Sequence, residues 1–140
     1  MEDSSDKPVF NIVLGNAEHS LNDMYEALIQ DAHHDINFTF TVATTVPDFI
    51  RLASDSRTDL AILMPPGNIA DDPARPNMTP QESAVHIVQT IKARHPIPVI
   101  LIAAHPVARE ALLAAGADCF LDIPARSAEI TSAVAASLAL

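Results

Sequence analysis

Short apolar runs alternate with segments of helical periodicity along the whole chain. Residues 9–14, 60–64 and 99–104 are mostly continuous apolar runs, which are typical of buried strands. Residues 36–42 alternate apolar with polar positions, as in a strand with one exposed face, and residues 119–121 predict a fifth strand. The predicted helices run from a cap at Ser20 to residue 32, from Thr45 to residue 53, from a capping box at Thr79 through residue 91, and over 107–115 and 128–138.

The predicted strands and helices alternate five times, which indicates a (βα)₅ unit with a parallel sheet, helices on both faces and right-handed crossovers. The continuous apolar strands belong at the centre of such a sheet, and the half-polar second strand belongs at an edge. We therefore predict an α/β doubly wound sheet with strand order 2-1-3-4-5. Folds of this kind hold their ligands at the carboxyl ends of the strands.

The 140-residue length predicts one domain, covering residues 9–140 after a flexible acidic N-terminus at residues 1–8. Residues 65–81 contain five prolines and follow the third strand, so we expect a surface loop over or beside the strand ends, with a mobile tip near Asp71 and Asp72. The apolar run at residues 136–140 lacks a polar tail, from which we expect the N-terminal domain of a longer protein.

Acidic residues outnumber basic ones by 18 to 8, giving a formal charge of −10. Such a chain has no basic patch to follow phosphates, so nucleic acid is not an expected partner. Cys119 is the single cysteine, which excludes a disulfide framework and a cysteine-based zinc site. The polar N-terminus is no signal peptide, and the apolar runs are too short for membrane insertion. We expect a cytoplasmic domain.

Motifs of standard cofactor and enzyme sites do not occur in the sequence. With three glycines it has neither G-x-G-x-x-G nor a P-loop, and G-x-S-x-G is also absent. A corrinoid loop would need an aspartate and a second glycine that the segment after Gly15 lacks. We expect no cofactor and no enzyme activity.

Three stretches resemble the receiver domains of response regulators. Residues 59–65 and 97–104 resemble the third and fourth strands of that family. Residues 116–124, which begin Gly116-Ala117-Asp118, resemble the family's Gly-Ala-Asp-x-Tyr-Leu-x-Lys-Pro stretch. The resemblance covers residues 9–138 and implies the flavodoxin-like fold predicted above.

The resemblance fails at the positions that transfer a phosphoryl group. Such transfer depends on positioning and on electrostatic stabilisation, which need the family's carboxylates, its metal ion and its lysine. The aligned residues are Met64 at the phosphoacceptor, Gly15 and Asn16 at the Mg²⁺-binding acids, Ala103 at the hydroxyl position and Ile123 at the lysine, while the switch aromatic (Phe120) and the proline (Pro124) are retained. We therefore expect no bound metal, and we expect Met64, Ala103 and Ile123 to fill the emptied pocket together.

These features predict a non-catalytic pseudo-receiver that signals or scaffolds through protein contacts, independently of phosphorylation. By resemblance its partner is a histidine kinase, an output domain, or motility, secretion or polarity machinery, and homodimers are an option. Two alternatives stay open: a small-molecule sensor roofed by residues 65–81, and a receiver phosphorylated at an atypical residue. The expected interaction face lies on the fourth helix, fifth strand and fifth helix, with Arg109, Glu110, Ala128, Ser132, Ala135 and Ala136.

Single residues that invite other chemistry have simpler interpretations. We expect His33 and His34 to be solvated at a helix end, and His105 to lie on a surface loop. Asp71 and Asp72 fit a solvated acidic loop better than a displaced phosphoacceptor, because nothing fixes them for in-line attack. Cys119 is expected to be a buried, unreactive thiol.

Overall fold

The computed structural model describes residues 7–64, 79–103, 109–122 and 125–140 and confirms the predicted architecture. Five parallel strands form one sheet in the order β2-β1-β3-β4-β5, linked by helical crossovers. The strands are β1 (Val9–Gly15), β2 (Asn37–Ala43), β3 (Leu60–Leu63), β4 (Val99–Ala103) and β5 (Cys119–Asp122). The helices are α1 (His19–Ala32), α2 (Val46–Ala53), α3 (Pro80–Arg94), α4 (Arg109–Ala115) and α5 (Ser127–Ser137).

Two apolar cores lie on opposite faces of the sheet. The α2–α4 core lies under helices α2, α3 and α4, and the α1–α5 core lies under α1 and α5. Successive strand residues point to opposite faces, so β3 places Ala61 and Leu63 in the first core and Leu60 and Ile62 in the second. Burial on both faces explains why β3 and β4 are continuous apolar runs.

Strand β2 lies at an edge of the sheet, which confirms the prediction from its alternating apolar and polar residues. Thr39 and Thr41 are exposed, whereas Phe38, Phe40 and Val42 are partly buried against the α1–α5 core. One face of β2 is therefore exposed to solvent. Helix α2 is short and covers only part of the sheet on that side.

Helix ends follow the predicted capping chemistry in α2, α3 and α4. The Thr45 hydroxyl accepts from the Asp48 amide at 3.3 Å. Thr79 and Glu82 form the reciprocal capping box, with bonds of 3.1 and 3.0 Å. Gly116 follows α4 with a φ of 118°, in the left-handed region that glycine adopts without strain.

The predicted cap at Ser20 is wrong, because the N-cap is Glu18, two residues earlier, and α1 begins at His19. Glu18 occupies the N-cap without a side-chain hydrogen bond, and Ser20 is an exposed residue of the first turn. The Asn16 side chain accepts from the Glu18 amide at 3.2 Å and organises this turn from upstream. The first turn of α1 therefore begins before Ser20.

Asp118 explains the Gly-Ala-Asp stretch in structural terms. Its carboxylate accepts from the Val99 amide at 2.8 Å and pairs with the Lys92 ammonium, which also donates to the carbonyl of Ile97 at 2.6 Å. These bonds tie the end of α3 to the starts of β4 and β5. The motif thus holds the amino-terminal side of the sheet together, away from the strand ends where a site is expected.

None of the helices in the described part of the chain is long and apolar enough to cross a membrane.

Candidate functional site at the carboxyl ends of the strands

The end of β1 is packed too tightly for any side chain larger than that of glycine. A Cβ atom added to Gly15 would lie 2.6 Å from Cδ1 of Phe49 and 3.0 Å from Cδ1 of Leu63. Phe49 and Leu63 are themselves fully buried in the α2–α4 core. An acidic side chain at position 15 would collide with this ring, so the position aligned with a metal-binding acid is occupied by apolar packing.

Asn16 and Asn22 form a buried amide network directly after β1. Asn22 Nδ2 donates to the carbonyl oxygen of Asn16 at 2.9 Å, and the two residues are 1% and 0% exposed. The backbone N–H of Asn16 donates to the carbonyl of Ala43 at 3.0 Å. This bond connects the same turn to the end of β2. Among the described residues, none provides a hydrogen-bond partner for the buried atoms Asn16 Nδ2 and Asn22 Oδ1. A buried polar atom left unsatisfied costs about 1–3 kcal/mol.

Met64 follows β3 and is 0% exposed, with its amide donating to the Gly15 carbonyl at 3.0 Å. Its side chain packs in the α1–α5 core. Ala103 ends β4 and is also 0% exposed, but it packs in the α2–α4 core. The expectation that Met64 and Ala103 fill one common space is therefore wrong: strand alternation sends them into cores on opposite faces of the sheet.

Mg²⁺ is the ion that receiver domains hold at this edge, and the described residues here do not fit it. A hard cation requires oxygen ligands, mostly carboxylates. Gly15 has no side chain, Met64 offers a thioether, and Asn16 Oδ1 already accepts from Glu18. The Asn16 atom left without a partner is an amide nitrogen, which donates hydrogen bonds and does not bind cations. Within the described ranges no three His, Cys, Asp or Glu residues come together as a metal cluster.

Phe120, the retained aromatic position, is buried under an arginine. It is 4% exposed in the α2–α4 core, and the Arg109 guanidinium lies 5.3 Å from its ring centroid. Arg109 also pairs with Asp122, on the same strand as Phe120, at 3.0 Å. A cation over an aromatic face is attracted by the ring quadrupole, so Arg109 fastens the first turn of α4 onto β5.

The α4–β5–α5 face carries the six residues predicted as an interface. Five of them are exposed, and Ala135 is partly buried. Ala136 lines a groove of about 320 Å³ together with Cys119 and Pro98. This face is therefore open around Ala136 and charged around Arg109 and Glu110.

Two single-residue expectations are corrected. Cys119 is only partly buried because β5 is an edge strand, and this partial burial raises the pKa of its thiol. His33 is partly buried, with its ring 6.1 Å from that of Phe38, and its enclosed Nε2 has no hydrogen-bond partner in the part of the chain that the structure describes. His34 is exposed as expected.

Several predicted positions lie outside the described residues. They are Ile123 and Pro124, His105, Asp71 and Asp72, the loop segment 65–78, and residues 1–6 of the N-terminus.

Sequence reasoning missed Asn22, which the structure brings into the site. Its spacing from Tyr25 and Ile29 is that of one helical face, and these three are the buried residues of α1. An asparagine on the apolar stripe of a helix was the available signal. Its role became visible only with the buried carbonyl of Asn16 beside it.

Comparison with known proteins supports the fold. No protein-family model matches the sequence, and no curated protein is significantly similar to it. Among solved structures, a receiver domain protein from Clostridium thermocellum is 17% identical with a TM-score of 0.70, covering 93% of this chain and 94% of that one. The receiver domain of sensor histidine kinase PA1611 from Pseudomonas aeruginosa, which holds Mg²⁺ in its active-site cleft, is 18% identical with a TM-score of 0.68, covering 94% and 98%. A Burkholderia thailandensis structure described as a pilus assembly protein is 12% identical with a TM-score of 0.65, covering 94% and 99%.

The chain thus has the fold of response-regulator receiver domains, over nearly its full length. At these identities the likeness extends to the fold, and the function has to be argued from the site.

Proposed function

We propose that this domain is a pseudo-receiver, a signalling or scaffolding module that acts through protein contacts and without phosphorylation. The observation that carries the proposal is the full burial of Met64, the residue that the resemblance aligns with the family's phosphoacceptor aspartate. A thioether in an apolar core cannot attack phosphorus. The neighbouring Gly15 is closed by Phe49, so an acidic side chain does not fit at that position either.

The burial of Phe120 supports a domain with a single conformational state. By resemblance it is the switch aromatic, which responds through a hydroxyl at the position of Ala103. Here Ala103 has no hydroxyl to bind a phosphoryl oxygen, and Phe120 is already buried beneath Arg109. The α4–β5–α5 face is therefore presented to a partner in one fixed form.

The proposed contact surface is the α4–β5–α5 face. Small side chains such as Ala136 and Ser132 allow a partner helix to approach closely, and the groove beside Ala136 offers a place for a larger side chain. Arg109 and Glu110 form a charged rim that sets orientation more than affinity. A partner in signalling, motility or secretion machinery fits this proposal, and one structural neighbour is itself described as a pilus assembly protein.

An amide NMR titration with Mg²⁺ and beryllofluoride, a phosphoryl mimic, tests the proposed loss of the switch. The amides of Gly15, Asn16 and Met64 report on the strand ends and Phe120 reports on the switch position. We expect no saturable shift at any of them. A saturable response at the strand ends that spreads to Phe120 would overturn the proposal.

The partner face is tested with matched arginine substitutions. Ala136→Arg closes the groove, while Ala27→Arg places the same side chain on an exposed position of α1. Both variants are expected to fold as the wild type does. A protein partner that co-purifies with wild type and Ala27→Arg, and is lost with Ala136→Arg, supports the face. Equal retention by both variants excludes it.

A second candidate, a small-molecule sensor, is favoured by one observation. Asn16 Nδ2 and Asn22 Oδ1 offer a buried donor and a buried acceptor that no described residue pairs with. A neutral polar ligand with both functions would satisfy them. A thermal-shift screen of amides, alcohols and amino acids tests this, because a ligand bound only to the native state raises the Tm. A hit whose effect persists in Asn22→Leu would contradict binding at this site.

A further inference from the structure

The outer edge of β2 presents backbone groups that no described strand covers. Within a parallel ladder, alternate residues direct both N–H and C=O to one neighbour, and the residues between them point to the opposite edge. The Asn37 amide donates to the Pro8 carbonyl, and the Ala43 carbonyl accepts from Asn16, so the odd-numbered residues of β2 face β1. The backbone groups of Phe40 and Val42 therefore point outward.

The first outward amide on this edge is already used. The Phe38 N–H lies 3.3 Å from Oε1 of Gln30, whose Nε2 donates to the Ile36 carbonyl at 2.7 Å. The Gln30 side chain thus covers the start of the edge. The remaining outward pairs, on Phe40 and Val42, form a short row of donors and acceptors.

This edge lacks the protection that edge strands usually carry. Natural edges are guarded by lysines, prolines or bulges that prevent pairing with another chain. Residues 37–43 read Asn-Phe-Thr-Phe-Thr-Val-Ala, without a charge or a proline, in a chain that has 11 prolines and 18 acidic residues. The pairing of β1 with β2 also runs over seven residues without a bulge.

The geometry points to a second copy of this chain as the partner of the β2 edge, in a two-fold antiparallel dimer centred on Thr41. In that register Phe40 of each copy lies opposite Val42 of the other and exchanges both backbone hydrogen bonds with it. Phe38 keeps its bond to Gln30. The exposed Thr41 side chains of the two copies lie side by side, and aromatic–β-branched and Thr–Thr pairs are both favourable across strands.

The aromatic row favours a second copy over an unrelated strand, and the neutral β2 edge permits two acidic copies to meet. At a formal charge of −10, two copies repel wherever acidic surfaces meet, and the neutral β2 edge avoids that cost. The rings of Phe10, Phe38 and Phe40 form a row with centroid separations of 6.4 and 5.9 Å that ends at this edge. In the dimer, the same row of the second copy continues it. The inference does not depend on the proposed function, because the α4–β5–α5 face lies at the other end of the sheet.

Sedimentation of the whole chain across the micromolar range tests the dimer, using Thr41→Lys and a control with the same charge change at an exposed position of α3, Gln89→Lys. Lysines directly opposed at the two-fold axis should weaken association roughly tenfold or more, whereas the control should match wild type. Mixing Thr41→Lys with Thr41→Glu should restore a heterodimer, because opposite charges then face each other. Circular dichroism checks that each variant is folded.

Each other outcome overturns the inference. A wild type that stays monomeric, or a Thr41→Lys variant that associates as wild type does, excludes the β2 dimer. Association lost with Gln89→Lys and kept with Thr41→Lys places the contact away from the β2 edge. If both lysine variants are monomeric, failure of the Lys/Glu mixture to associate excludes the Thr41 axis.

Discussion

Asn22 Nδ2 on helix α1 donates a hydrogen bond to the main-chain carbonyl of Asn16, 2.9 Å away, with both residues shielded from solvent. This bond attaches the first helix to the turn after β1, at the place where a receiver domain holds its metal ion. An amide bonded to a carbonyl is neutral and needs no cation. The turn is therefore stabilised by hydrogen bonding between neutral groups.

Asn22→Ala should lower the free energy of unfolding by about 1–3 kcal/mol, because it leaves the buried Asn16 carbonyl without its donor. Urea denaturation measures the change. Ser20→Ala, at an exposed position of the same helix, is the control and should change stability by less than about 0.5 kcal/mol. Equal midpoints for the two variants would show that the Asn22 bond contributes nothing.

Met64→Asp should destabilise the domain by roughly 2–4 kcal/mol, because a carboxylate enters an apolar core without a partner. Met64→Leu retains the volume and should cost less than about 1.5 kcal/mol. Chemical denaturation of both variants separates polarity from shape. An unchanged midpoint for Met64→Asp would mean that the position is open to water and ready for a ligand.

Gly15→Ala should cost about 1–3 kcal/mol through overpacking, since the new methyl group meets the Phe49 ring. Phe49→Leu shortens that side chain and makes room. The double variant should therefore be more stable than the sum of the two single changes predicts, a coupling that thermal or urea unfolding measures. Strict additivity would show that Phe49 is not what excludes a side chain at position 15.

Asp55 should make stability depend on pH in the acid range. The Arg57 guanidinium, and then the Arg57 backbone N–H, lower the pKa of Asp55 from 3.8 to about 2. Because the folded-state pKa is the lower one, this contribution is complete above 3.8 and is lost as the pH falls toward 2. The difference in urea midpoint between wild type and Asp55→Asn should therefore shrink over that interval. A difference that stays constant down to the lower pH would contradict the pairing.

The fold was predictable because the spacing of apolar residues along the chain specifies its strands and helices. The continuous apolar run at residues 60–63 identifies a central strand, and the alternation of Phe and Thr in β2 identifies an edge strand. The Thr79 capping box and Gly116 marked helix ends through local chemistry, which acts over a few residues. The Ser20 cap failed because the Asn16 side chain accepts from the Glu18 amide and Glu18 takes the N-cap position, a local alternative that the capping pattern at Ser20 does not reveal.

The site was predictable only in part, because its contacts are set by tertiary structure. The alignment placed Met64 and Ala103 at the strand ends correctly, yet their side chains enter different cores. The alternation of side chains along a strand would have predicted this difference. Met64 lies two residues after Ile62 and four after Leu60, so its side chain points to the same face of the sheet as theirs. The stacking of Arg109 on Phe120 and the bond between Asn22 and Asn16 join separate elements, which no local pattern records.

Intact-mass spectrometry after incubation with acetyl phosphate and Mg²⁺ tests the central claim most directly. An active receiver domain in the same reaction serves as the positive control. Because the proposed pseudo-receiver has Met64 at the phosphoacceptor position and Gly15 and Asn16 at the metal-binding positions, we predict an unchanged mass while the control gains one phosphoryl group. A phosphoryl adduct on this chain that needs Mg²⁺ and is released by hydroxylamine, as an acyl phosphate is, would contradict the account.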